Sequence, residues 1–217
     1  MNELNKAIAD IERPARIKKL PISEQGFPVP WFVATINGVP DFRAIAPGAI
    51  AAAYNRRLCW ICGEPLGRFL AFVIGPMCAI NRVSSEPPSH KECADYAAKA
   101  CPFLSKPRMR RNETNADHLP KVSEGPGIAI MHNPGVALVW ITHDYKPISD
   151  GKGGVLFEIG SPINASFYCE GRPATHDEVM AAIGKGFPIL QDVARSEGRE
   201  AVAELELRYR KAMELVP

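Results

Sequence analysis

The sequence predicts an α+β fold with a metal-ligating segment in its first half, and three observations carry that reading. Runs of β-branched and aromatic residues bounded by turn signals occur in both halves of the chain, VPWFVATI at 29–36 and VALVWIT at 136–142 among them. Apolar residues at helical spacing concentrate towards the end, at Val202, Leu205, Tyr209, Met213 and Val216. Between them stand two pairs of side chains at ligand spacing, Cys59 with Cys62 and His90 with Cys93. Bulk composition fits a folded protein. Of 217 residues, 46% are hydrophobic and 23% charged, while 20 prolines and 17 glycines favour short elements joined by many turns. A net charge of +2 is too small to imply nucleic-acid binding by itself. No apolar run approaches the roughly 20 residues that span a bilayer, so no membrane contact is expected. The opening residues lack a secretory h-region, which makes a cytoplasmic protein the expectation.

Taken in order, residues 1–26 read as a short helix and then an extended arm, with Arg13, Arg16, Lys18 and Lys19 at its basic end. VPWFVATI and VPDFRAI (39–45) flank Asn37-Gly38, a strong hairpin signal, and the hairpin is expected to pack Trp31, Phe32 and Phe42 into a core. Pro47 suits the first turn of a short helix. RFLAFVIG (68–75) is an apolar strand, 76–88 a turn with a second short strand, and SHKECADYAAKACPFL a helix ended by Pro102. Residues 105–127 are polar and read as a linker or surface loop, dividing an N-terminal region (1–104) from a C-terminal one (128–217). There GIAIMHN, VALVWIT, VLFEI and INASFYCE predict an antiparallel sheet of about four strands over 128–170, with 143–154 a glycine-rich connection. Thr175 and Glu178 form a T-x-x-E capping box, Gly184 and Gly186 are expected to end that helix, and FPILQDVARSEG forms another. The last helix (199–216) is expected to dock on the sheet, and its apolar stripe also offers a route to a homo-oligomer.

The cysteines argue for a metal rather than disulfides. Four of the six, Cys59, Cys62, Cys78 and Cys93, cluster within 59–93, and no signal peptide points to an oxidising compartment. A CxxC turn aims two thiolates at one point, and Gly63 supplies the permissive backbone such a turn needs. Ser89 and Glu92 read as an S-x-x-E capping box, which would make Ser89 the N-cap, His90 the first helical residue and Cys93 the fourth. Residues three apart share a helix face, and a helix N-terminus favours a thiolate. Cys59, Cys62, His90 and Cys93 are therefore the expected ligands of one Zn2+. Four protein ligands leave no open position, so the ion is structural rather than catalytic. The complex would carry a formal charge of −1, with Arg56, Arg57, Arg68 and Lys91 close in sequence. Cys101 lies two turns along the same helix, about 12 Å at about 1.5 Å per residue, and cannot reach the same ion. It is expected to be a core residue on the stripe with Ala97 and Leu104. Cys78 is an alternative to His90, and Cys169 is expected to be packed.

A knuckle, strand material and a helix bearing the second ligand pair in its first turn resemble the treble clef over about 57–104. The resemblance implies zinc but no single task, since treble clefs occur in nucleases, ribosomal proteins, ubiquitin-related adaptors and transcription factors. C-x-I-C-G-x-P-L-G, A-F-V-I-G-P, E-P-P-x-H-x-x-C-A-x-Y-A and A-C-P-F-L, all between Arg57 and Arg111, are also similar to a family of uncharacterised bacterial and phage-borne proteins, as is E-G-R-P-A-T-x-x-E-V at 170–179. That likeness implies no established activity.

The functional expectation is a zinc-stabilised, non-enzymatic binding or adaptor protein. Lys106, Arg108, Arg110 and Arg111 are the candidate nucleic-acid contacts, with the basic end of the first segment as an extension. A protein partner would instead use a sheet edge or the last helix. One alternative is a metal-dependent nuclease or hydrolase. Against it, 70–88 holds no histidine and Glu86 as its only acid, leaving His118, His132 and the His143-Asp144 neighbours outside the clef. Another is a phage or mobile-element protein that blocks a host system. Asp150-Gly-Lys-Gly-Gly154 lacks P-loop spacing and reads as a turn.

Overall fold

The first segment carries isoleucines at 8, 11 and 17, enough to fold a small cap rather than an open arm. In the computed structural model, which describes residues 2–105, 135–151 and 153–217, that cap consists of a 3-10 turn (Lys6–Ile8) and a one-turn helix α1 (Ala15–Lys18). The Asn5 N–H donates to the Gly26 carbonyl at 2.9 Å and the Val29 N–H to Pro21 at 2.8 Å, closing the segment on itself with Ile8 and Ile17 buried.

Asn37 and Gly38 both take left-handed conformations (φ 51 and 82), and they join β1 (Val33–Ile36) to β2 (Val39–Ile45) as predicted. The aromatic residues of the hairpin divide. Trp31 and Phe32 are half-buried, with Phe32 stacked on Trp60 at 4.4 Å, but Phe42 is 43% exposed. Among the described residues this sheet has two strands, and Val39 and Ile45 of β2 are exposed as well. The expected short helix follows as α2 (Ala49–Asn55), but Gly48 is its N-cap and Pro47 precedes the helix rather than sitting in its first turn.

After β3 (Leu70–Ile74) the chain forms a helix, α3 (Pro76–Asn81), where a turn was expected. Pro76 sits in the first helical turn, where its missing N–H costs nothing, and the helix buries Met77 and Ile80. The expected short strand is β4 (Val83–Ser84), and α4 (Lys91–Ala100) and α5 (Pro102–Ser105) complete the first half. Residues 106–134, with most of the expected linker and the GIAIMHN strand, lie outside the described residues.

The second half contributes β5 (Ala137–Thr142), β6 (Tyr145–Ser149), β7 (Val155–Ile159), β8 (Asn164–Cys169), β9 (Arg172–Pro173), α6 (His176–Glu197) and α7 (Arg199–Met213). The sheet expected from 128–170 alone takes in first-half strands. β3 pairs antiparallel with β5, from Leu70 opposite Thr142 to Ile74 opposite Leu138, in the order β3-β5-β8-β9. β4 likewise pairs with β7 in a second sheet, β4-β7-β6. Every residue of β5 is buried, as a central strand covered on both faces requires. Residues 143–154 are not wholly connection either. Tyr145–Ser149 pairs with β7 across a turn in which the Gly154 N–H donates to Asp150 Oδ1 at 2.7 Å. Leu70, Phe72, Leu138, Trp140, Phe157 and Ile159 form a continuous core.

The capping box at Thr175 and Glu178 forms in both directions. The glycines after it do not end the helix. α6 continues through Gly184, Gly186 and Pro188 to Glu197. A Cβ at Gly186 would stand 2.6 Å from Met77 Cγ, so that glycine allows α6 to approach α3 closely. Leu205 is buried, and Val202, Tyr209, Met213 and Val216 pack beside it against α3 and α6, where docking on the sheet was expected. Among the described residues no helix is long and apolar enough to cross a membrane.

Candidate metal centre

The CxxC segment folds as a tight knuckle. The Gly63 N–H donates to the Cys59 carbonyl at 2.9 Å and the Cys59 N–H to Glu64 at 2.8 Å. Gly63 takes φ +73, and a Cβ there would lie 2.7 Å from the Trp31 ring. Both facts demand glycine. Its backbone freedom was legible in the CxxCG motif; the approach of Trp31 was not.

The second ligand pair arrives by a different route from the one its motif suggested. Ser89 does not cap α4. It forms an antiparallel bridge with Ala71 of β3, through N–H···O contacts of 2.9 and 2.7 Å. His90 becomes the N-cap in extended conformation (φ −66, ψ 149), and Cys93 is the third helical residue rather than the fourth. β3 claims the backbone of Ser89, so the expected capping box is not made, and Glu92 is free to meet Arg16 instead.

These two routes bring Cys59, Cys62, His90 and Cys93 together, with one ligand atom from each lying within 4.8 Å of all the others. His90 Nδ1 stands 3.4 Å from Cys62 Sγ and 4.0 Å from Cys93 Sγ. Edges of a tetrahedral site with bonds of about 2.0–2.3 Å are about 3.5–3.8 Å, so the donors need to move little to close on one ion. His90 Nε2 is 3.0 Å from the Pro65 carbonyl. Its proton therefore belongs on Nε2, which leaves the Nδ1 lone pair facing the sulfurs. Cys59 and Cys93 are fully buried, His90 is 8% exposed and Cys62 is half-buried. The backbone N–H groups of Cys62 and His90 point at Cys59 Sγ at 3.5 and 3.4 Å, a setting that favours sulfur as the anion.

Without a cation the three thiols share their protons unevenly. Cys59 is held ionised by hydrogen bonds from the Cys62 and Cys93 thiols and, secondarily, from those two backbone groups. Cys62 is pushed up to about 11, chiefly by its bond to Cys59, and Cys93 is pushed up further by Cys59 and then Cys62. A divalent ion would replace the shared protons.

The nearby positive charge also differs from the expected set. Lys91 pairs with Asp95 at 2.5 Å, and Arg57 reaches the Gly67 carbonyl. Arg16 and Lys19, far away in sequence, supply the charge beside the knuckle and the helix. Arg16 Nη1 lies 2.5 Å from Glu92, its Nε stands 3.0 Å from Glu64, and Lys19 Nζ lies 2.7 Å from Glu64. No spacing in the sequence could have announced Arg16.

The remaining candidates stand apart. Cys78, on α3, is not in the cluster, so His90 and not Cys78 completes it. Cys101 is the C-cap of α4 and half-buried rather than core, and Cys169 is buried as expected. His143 is exposed, with Nδ1 3.4 Å from the Arg68 carbonyl, while Asp144 accepts from Thr142 Oγ1 at 3.2 Å. Lys106, Arg108, Arg110, Arg111, His118 and His132 lie outside the described residues. No protein-family model, curated protein or solved structure matches this chain. The metal centre therefore stands on its own geometry.

Proposed function

We propose that Cys59, Cys62, His90 and Cys93 hold one structural zinc ion in a treble-clef-like segment (57–104), and that the protein is a non-enzymatic binding or adaptor protein built on this cross-link. The observation that carries the metal reading is the convergence of four donor atoms within 4.8 Å, three of them sulfur. Thiolate and imidazole donors select zinc over the oxygen-seeking magnesium and calcium. Four protein donors leave no position for water or substrate, which favours a structural role. The clef reading is supported by the order of parts: the knuckle, then β3 with Ser89 returning beside Ala71, then α4 with Cys93 in its first turn.

Protein purified without chelator is expected to contain one zinc per chain by elemental analysis. No stoichiometric metal would remove the proposal.

The partner is nucleic acid, through Lys106, Arg108, Arg110 and Arg111, or a protein, through a sheet edge or the last helix. Binding to nucleic acid should weaken steeply with salt, and alanine at Arg108, Arg110 and Arg111 should reduce the salt slope by about one per lost phosphate contact. Salt-independent binding, or none, would turn the assignment to a protein partner, including a host component blocked by a phage-borne protein. Metal-dependent plasmid cleavage that is lost in His143→Ala would replace it with a nuclease.

A further inference from the structure

The N-terminal cap sits directly on the ligand set. Ile8 and Ile17 share one buried cluster with Cys59, Ile61, Cys93 and Tyr96. At its edge, one guanidinium touches both halves of the site. Arg16 Nη1 donates to Glu92 Oε1 at 2.5 Å, and Nε stands 3.0 Å from Glu64 Oε2, a charge contact rather than an aligned hydrogen bond. Glu64 ends the knuckle that carries Cys59 and Cys62. Glu92 lies between His90 and Cys93. The two carboxylates are therefore fixed to the two ligand pairs, and the span between them follows the separation of those pairs. Lys19 adds a second contact to Glu64, and the Trp31 N–H donates to the Ile61 carbonyl at 2.8 Å, extending the seam.

We infer that Arg16 is a positioning residue that couples docking of the N-terminal cap (2–29) to metal binding, each stabilising the other. The inference rests on the metal reading above and goes beyond it by adding a residue remote in sequence and a consequence for the cap. A planar guanidinium can bridge two carboxylates only while they are held at the right separation. The ion sets that separation, so the docked cap belongs to the metal-loaded state. Coupling of this kind is reciprocal, and removing the bridge must loosen the metal as well as the cap. Arg16, Glu64 and Glu92 have side chains 39%, 34% and 42% exposed, so each ion pair alone contributes little. The effect comes from engaging both carboxylates at once.

The experiment measures zinc release from the full chain to a chromogenic chelator, with trypsin cleavage within the cap as a second readout. Arg16→Ala should start with stoichiometric zinc, release it about 5- to 20-fold faster than the wild type, at the lower end of typical coupling, and expose the bonds after Lys6 and Lys18 to cleavage while still loaded. Arg16→Lys should rescue only part of this, because one ammonium cannot hold both carboxylates in the same way. Glu92→Gln should also speed release. A simple charge effect would do the reverse, since removing a negative charge leaves less repulsion around the thiolates. Wild-type release rates with a protected cap in Arg16→Ala, or slowed release in Glu92→Gln, would overturn the coupling. Wild-type protein without zinc would instead defeat the metal reading beneath it.

Discussion

Cys59→Ser and Cys93→Ser are each expected to yield protein without stoichiometric metal that is insoluble or partly unfolded over 57–104. Both sulfurs are fully buried, so nothing in solution can replace them. Serine offers a poor ligand and leaves a hydroxyl in an apolar cluster beside Ile61 and Tyr96. The cost scales with what the ion contributes. Structural zinc supplies on the order of 10–16 kcal/mol of apparent binding free energy in small fingers, against a whole-domain stability of about 5–15 kcal/mol. Losing even half of the zinc contribution consumes most of the margin. The loss should also spread to the cap, whose Ile8 and Ile17 pack in the same cluster as Cys59 and Cys93. Elemental analysis and thermal melting followed by circular dichroism check this. Cys78→Ser serves as the internal control and is expected to keep its metal, since Cys78 lies outside the four-residue cluster. Soluble serine variants at Cys59 and Cys93 with wild-type zinc content and melting would contradict the account.

Acid is expected to strip the site steeply. In the metal-free fold Cys59 is held ionised, whereas Cys62, at about 11, and Cys93, higher still, keep their protons at neutral pH, each chiefly through Cys59. Loading a cation must expel the protons these thiols hold, so affinity should fall about tenfold per released proton for each unit that pH is lowered. The stability consequence has the same sign. In the loaded protein the thiolates titrate below the ordinary thiol value of about 8.5, so their contribution is present above that value and is lost as pH falls through their loaded values. Chelator competition between about pH 6 and about pH 8 should show log affinity rising with pH, with a slope of at least about one. A flat profile would mean that the thiols are not ligands.

Much of the site was legible before the fold was known, because its parts are local. CxxC and HxxC fix donors through the geometry of one turn each, and all four predicted ligands lie together. The Asn37-Gly38 turn and the Thr175–Glu178 box were readable for the same reason: each depends on a few consecutive residues. Where local signals failed, a distant segment had taken the groups they needed. Ser89 satisfies its backbone on Ala71 and so cannot cap α4. Gly184 and Gly186 look like a stop, yet α6 runs through them. Gly186 lies where Met77 would collide with a Cβ. Phe42 looked like core and is exposed, since no described residue buries its side of the hairpin.

By itself, then, the sequence determined the mixed helix and antiparallel-sheet class, the hairpin, the strands β5, β7 and β8, and the four donor residues that come together. Short-range backbone geometry and side-chain periodicity are written within a few residues. Only the tertiary structure decided that β3 pairs with β5 across the chain's midpoint, that the first segment folds over the knuckle, and that Arg16 reaches both Glu64 and Glu92. Those choices depend on which buried surfaces meet, and that depends on the whole chain packing at once.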